Sequence, residues 1–140
     1  MALTRKSPSG EIAIGDVVTL QDRIALMTVE AVHAETFGLV IDCCWFDEND
    51  CLRFRRFPVH MIDIFPRPAT ELNIMAGMEV RLRSRGPVMT VSEITERDGR
   101  HYVTCRWTAP TGHERRRLFP AVALVLTMIE RFEGLSGEEI

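Results

Sequence analysis

The sequence predicts an all-β chain: two tandem copies of one small unit, packed together and carrying short helical turns. Three observations lead there. The chain repeats itself in one register. Each copy alternates apolar and polar residues with the two-residue period of a strand. Turn-forming residues punctuate that alternation at short intervals.

Shifted by 62 residues, Gly15 falls on Gly77, Val18 on Val80, Leu20 on Leu82 and Arg23 on Arg85. Met27-Thr28-Val29 falls on Met89-Thr90-Val91, and Cys43 and Trp45 fall on Cys105 and Trp107. Arg55 meets Arg117, and Phe57-Pro58 meets Phe119-Pro120. The chain therefore divides into an N-terminal tail 1–14, repeat 1 at 15–65, a linker 66–76, repeat 2 at 77–127 and a C-terminal tail 128–140. The linker opens with Pro66-Arg67-Pro68, the composition of a short stiff spacer.

Within a copy the elements follow in order. Val18 and Leu20, like Val80 and Leu82, alternate with outward residues over a first strand. A turn follows, with Gly86-Pro87 in repeat 2 and Ile24-Ala25 in repeat 1. Met-Thr-Val opens the second strand. Ile41, Cys43 and Trp45 share one face of the third, as do Val103, Cys105 and Trp107. Asp47-Glu48-Asn49-Asp50 and Pro110-Thr111-Gly112 signal turns. The fourth strand runs into Phe-Pro, and one helical turn leads to a short fifth strand at Ile62 to Phe65 or Leu124 to Thr127. Four or five short strands sharing one apolar face suggest a small, partly open barrel, for which an SH3-like barrel is the natural candidate.

Units of this size bury little surface alone, so the copies are expected to pack on each other. Val40, Cys44 and Phe46 give repeat 1 a second apolar face, where repeat 2 has Tyr102, Arg106 and Thr108. That face is either the contact between repeats or a patch for a protein partner.

Composition narrows the function classes. The chain of 140 residues is 46% hydrophobic and 26% charged, with net charge −3. It offers no long apolar run, and MALTRKSPSGE has no signal-peptide core, so a cytoplasmic protein with no membrane contact is expected. Cys43, Cys44, Cys51 and Cys105 lack the paired spacing of a zinc site and read as reduced thiols. No metal and no cofactor are expected.

Gly15-Asp16-Val17-Val18-Thr19-Leu20, Met27-Thr28-Val29, Cys43-Cys44-Trp45-Phe46 and Phe57-Pro58 together resemble the YodC-like family of small bacterial proteins. Family members are typically one unit, so this chain looks like a tandem version. Repeat 1 departs from the pattern in lacking its Gly-Gly-Pro-like turn. Repeat 2 departs in carrying Met78 after Gly77 and Thr108 after Trp107. The resemblance implies a small SH3-like β fold in a bacterial or phage-borne protein, and it implies no activity.

Nothing in the chain reads as catalytic. None of His33, His60, His101 and His113 recurs between the copies, and no nucleophile elbow or phosphate loop is present. Charge is more informative. Repeat 1 holds 4 arginines against 9 acids (net −5), and repeat 2 holds 9 arginines against 5 acids (net +4). Opposite charges of this kind suit contact between the repeats, within one chain or in a homodimer.

The expectation is a non-enzymatic binding module, an adaptor, regulator or inhibitor, acting by protein–protein contact. Its surface would comprise Val40, Cys44 and Phe46 with the turn residues Asp47 and Asp50. The competing expectation is nucleic-acid binding through Arg81, Arg83, Arg106, Arg115 and Arg117.

Overall fold

The computed structural model describes residues 12–21, 25–65 and 73–127. Most of both expected tails, residues 66–72 of the linker, and Ile24 of the first turn lie outside the described residues.

The described residues are all-β, in two antiparallel five-stranded sheets. The first contains β1 (Val17–Leu20), β2 (Met27–Glu35), β3 (Gly38–Phe46), β4 (Leu52–Pro58) and β5 (Ile62–Phe65), in the order β4-β3-β2-β1-β5. The second contains β6 (Glu79–Leu82), β7 (Met89–Arg97), β8 (Arg100–Thr108), β9 (Glu114–Pro120) and β10 (Leu124–Leu126), in the equivalent order. Neither sheet closes: β4 and β5 are the edges of one, and β9 and β10 the edges of the other. A single 3-10 turn, Val59–Met61 or Ala121–Ala123, follows each Phe-Pro. Proline fixes its own φ and has no N–H to donate, so it suits the point where the fourth strand stops.

The sequence repeat is also a repeat of register. Val18 pairs with Met27 as Val80 pairs with Met89, and Ile41 with Phe57 as Val103 with Phe119. Even the irregularity recurs: a β-bulge leaves Glu30 unpaired in β2 and Ser92 unpaired in β7. Gly15 and Gly77 have φ of 97° and 91°, a left-handed conformation that glycine adopts without the Cβ penalty. Each holds the bulged strand in the same way, its N–H donating to Val29 or Val91 at 2.8 Å.

Two apolar cores lie on the inward faces. Val18, Val29, Ile41, Cys43 and Ile62 centre the first, and Val80, Val91, Val103, Cys105 and Phe119 the second. The second core is completed by the first repeat. Cys44 is fully buried within it, and Phe46 and Leu52 pack against it. Phe46 meets Trp107 edge-on, with ring centroids 5.4 Å apart, and Trp107 leans on Phe119 at 6.2 Å. A polar contact flanks this plug. Thr28 Oγ1 donates to Ser84 Oγ at 2.6 Å and accepts the Ser84 backbone N–H at 3.0 Å.

The Gly86-Pro87 turn is the seat for Phe46. A Cβ built on Gly86 would lie 2.4 Å from Phe46 Cδ2, at a φ of 141°. Gly86→Ala should therefore lower unfolding free energy by about 2–4 kcal/mol, combining backbone strain with overpacking. Gly77→Ala, at φ 91° with open space around the new methyl, should cost only the strain, about 1–2 kcal/mol. Guanidinium denaturation of both variants checks this, and equal losses would show that the Phe46 seat is not the cause.

A candidate binding groove at the repeat junction

The Cys44–Phe46 end of the outer face of β3 is covered by repeat 2. Val40 and Cys44 are buried, and Phe46 is half-buried against Trp107. Of the two readings open for this face, contact between the repeats is the one its surroundings match. Asp47 is occupied in shaping the β3–β4 turn. Its Oδ1 accepts the backbone N–H groups of Asn49 (2.8 Å) and Cys51 (3.0 Å), and its Oδ2 accepts Arg53 Nε at 2.8 Å. The hydrogen bond from Cys51, reinforced by Arg53, holds its carboxyl below the usual range. Asp50, at φ 58°, is exposed at the tip of the same turn.

The five candidate arginines do not form one surface. Register pairs Cys105 with Arg117, Trp107 with Arg115 and Arg106 with Arg116. Arg115 and Arg117 thus share the face of Trp107, while Arg106 and Arg116 lie on the opposite one. Arg81 and Arg83, expected to face outward, are half-buried at β6 and just beyond it. Arg106 Nη1 lies 3.6 Å from Glu114.

Arg117 reaches across the junction. Its two terminal nitrogens donate to Glu30 Oε1 and Oε2 at 2.8 and 2.9 Å, a bidentate pair, and its guanidinium lies 4.9 Å above the Phe119 ring. The Glu30 and Arg117 side chains are only 11% and 28% exposed. Burial works against the Arg117 charge, but the hydrogen bond and field of Glu30 outweigh it and raise its hold on the proton. Strand alternation puts Glu30 on the outward face with Thr28, which also meets repeat 2, and the bulge leaves Glu30 without a partner in the ladder. In sequence the sign was visible, an acid where repeat 2 has Ser92, but the partner was not.

Between the β3–β4 and β8–β9 turns runs an open groove of about 370 Å³. Leu52 and Trp107 give it apolar surface, Asp50 and Cys51 line one side, and Ala109, Pro110 and Thr111 line another. Arg115, Arg116 and Arg117 approach from the edge strand β9. Asp50 from one sequence-derived set and Arg115 and Arg117 from the other thus meet at one place. Arg116 was not singled out because strand period sets it on the face opposite Trp107, and Cys51 and Leu52 were not because only the docking of the repeats brings them beside Trp107.

A second polar cluster lies on the outer face of repeat 1. Asp42 accepts Arg56 Nε at 2.6 Å and Nη2 at 3.2 Å, and pairs with His33 Nε2 at 2.8 Å. The Arg56 hydrogen bond, aided by His33, holds the Asp42 carboxyl low against the opposing effect of burial. Three of the thiols are enclosed. Burial pushes Cys43 and Cys105 up to about 12 and raises Cys44 as well, so none is a thiolate near neutral pH. Among the described residues no cluster of three or more His, Cys, Asp or Glu is arranged to hold a metal. No helix there is long and apolar enough to cross a membrane.

Comparison with protein-family models, with curated proteins and with solved structures finds no match.

Two outcomes are expected. In a native thiol assay near pH 8, Cys51 should react quickly while Cys43, Cys44 and Cys105 react only on unfolding; two fast thiols would contradict the burial described. In a double-mutant cycle, Glu30→Ala and Arg117→Ala should show a coupling of about 1–3 kcal/mol in unfolding free energy. Strict additivity would mean the pair does not hold the repeats together.

Proposed function

We propose that this protein is a non-enzymatic binding module that acts by protein–protein contact, as an adaptor, regulator or inhibitor, through the groove at the repeat junction. The observation that carries this is the groove's make-up. The half-buried Leu52 and the small exposed edge of Trp107 lie beside exposed Arg115 and Arg116, with Asp50 also lining the groove. Aromatic and arginine side chains are the usual anchors of protein interfaces. An extended acidic segment with an apolar residue suits such a groove. The enclosure of Cys43, Cys44 and Cys105 speaks against chemistry at those three thiols.

Each repeat is read here as an SH3-like, partly open barrel, and the chain as a tandem relative of the YodC-like family. The strand order, the 3-10 turn ahead of the last strand and the Met-Thr-Val, Cys-x-Trp and Phe-Pro positions support that reading. A cytoplasmic location fits the reduced thiols.

The rival reading, nucleic-acid binding by the arginines of repeat 2, is weakened by the way those arginines are spent. Arg117 is tied to Glu30, Arg106 lies near Glu114, and Arg81 and Arg83 are half-buried. The full chain, tagged and used to capture partners from a lysate of its host with and without nuclease, decides between the two. A discrete protein retained after nuclease, and lost from an Arg115→Ala/Arg116→Ala variant, is expected. Recovery that collapses with nuclease, and falls steeply with salt, would replace this proposal with the nucleic-acid reading.

A further inference from the structure

The junction has a direction. Repeat 1 presents Glu30, Cys44 and Phe46 from its outer face, and repeat 2 receives them on Arg117, Trp107 and Phe119 of its inward face. The receiving residues recur in repeat 1 as Arg55, Trp45 and Phe57, in the same register. Among the described residues nothing plays toward them the part that Glu30 and Phe46 play toward repeat 2. Trp45 stays half-buried where Trp107 is 7% exposed. Arg55 is exposed and makes no ion pair among the described residues, whereas Arg117 is held in a bidentate one.

We infer that the Arg55–Trp45 surface of repeat 1 is a second docking site, for a protein partner that presents a carboxylate beside an apolar side chain on a β-hairpin. This deepens the reading of the protein as a protein-binding module and rests on it. The occupied site in repeat 2 supplies the template: a carboxylate gripped by the arginine fork and an apolar group laid against the tryptophan.

A second copy of this chain does not supply that occupant. Its own Glu30 and Phe46 are committed to its internal junction, and its repeat 2 offers Ser92 and Thr108 at the matching positions, neither acidic nor aromatic. The deep aromatic seat belongs to repeat 2, because Gly86 has Ile24 as its counterpart in the sequence. The carboxylate on Arg55 is therefore the defining contact, and the apolar group beside it is not required to be aromatic.

The test is a selection of disulfide-cyclised β-hairpin peptides from a displayed library against the full chain. The strongest binder is then synthesised and its affinity measured by calorimetry. Enriched hairpins should carry Asp or Glu beside an apolar residue. Arg55→Glu should weaken binding at least tenfold, and exchanging the hairpin's acid for lysine should restore affinity to that variant alone. Arg55→Gln, a milder change at the same exposed position, should weaken binding in the same direction. The inference is overturned if no hairpin is enriched, if those enriched lack an acid, or if binding ignores both Arg55 variants. Hairpins lost instead on Arg115→Ala/Arg116→Ala would overturn it while upholding the groove reading. Lysate capture that the Arg115→Ala/Arg116→Ala variant leaves intact would count against the groove reading alone.

Discussion

Everything in this molecule depends on one apolar contact, the insertion of Cys44, Phe46 and Leu52 from the first repeat into the core of the second. A unit of about 50 residues buries too little surface to be secure alone, and an open sheet leaves part of its core uncovered. Here the neighbour supplies the missing cover. The Phe46–Trp107 contact closes the second core, Gly86 makes room for it, and the Glu30–Arg117 pair and the Thr28–Ser84 hydrogen bonds fix its orientation. Apolar burial drives the association, while the polar contacts specify the angle at which it occurs.

The division of labour explains why the copies have diverged where they have. Positions that build the strand framework remain matched: Val18 and Val80, Met27 and Met89, Cys43 and Cys105, Phe57 and Phe119. Positions at the junction differ in opposite senses, Glu30 against Ser92, Cys44 against Arg106, Phe46 against Thr108. One copy has become the contributor and the other the host. The opposite net charges of the two copies find a direct structural use at Glu30 and Arg117, while their remaining charges lie elsewhere on the two sheets.

Much of this architecture was legible in the sequence, because strand period and repetition are local signals. The inward placement of Ile41, Cys43 and Trp45, the stop at Phe57-Pro58 and the fifth strand from Ile62 follow from alternation and proline alone. The second apolar face of repeat 1 was legible too, with the contact between the repeats as one of its two readings. What stayed hidden required the third dimension. Glu30 and Arg117 stand 87 residues apart on different repeats, so the partner of Arg117 emerges only when the repeats dock. The outward alternation of Arg81 and Arg83 ignores the neighbouring elements that half-bury them. The groove joins turns distant in sequence, so its members become neighbours only after the repeats dock.

The junction pairs two different surfaces rather than one surface with itself. Contacts of that kind leave a free surface at each end: identical units joined this way would go on adding units until they closed a ring or grew into a fibre. Repeat 2 breaks the series. Its outer face carries Arg106, Thr108 and Glu114 where repeat 1 carries Cys44, Phe46 and Leu52, so no further copy of the same host surface finds an apolar plug there. Three polar substitutions thus work as a stop signal written into the second unit, limiting a potentially endless polymer to a pair.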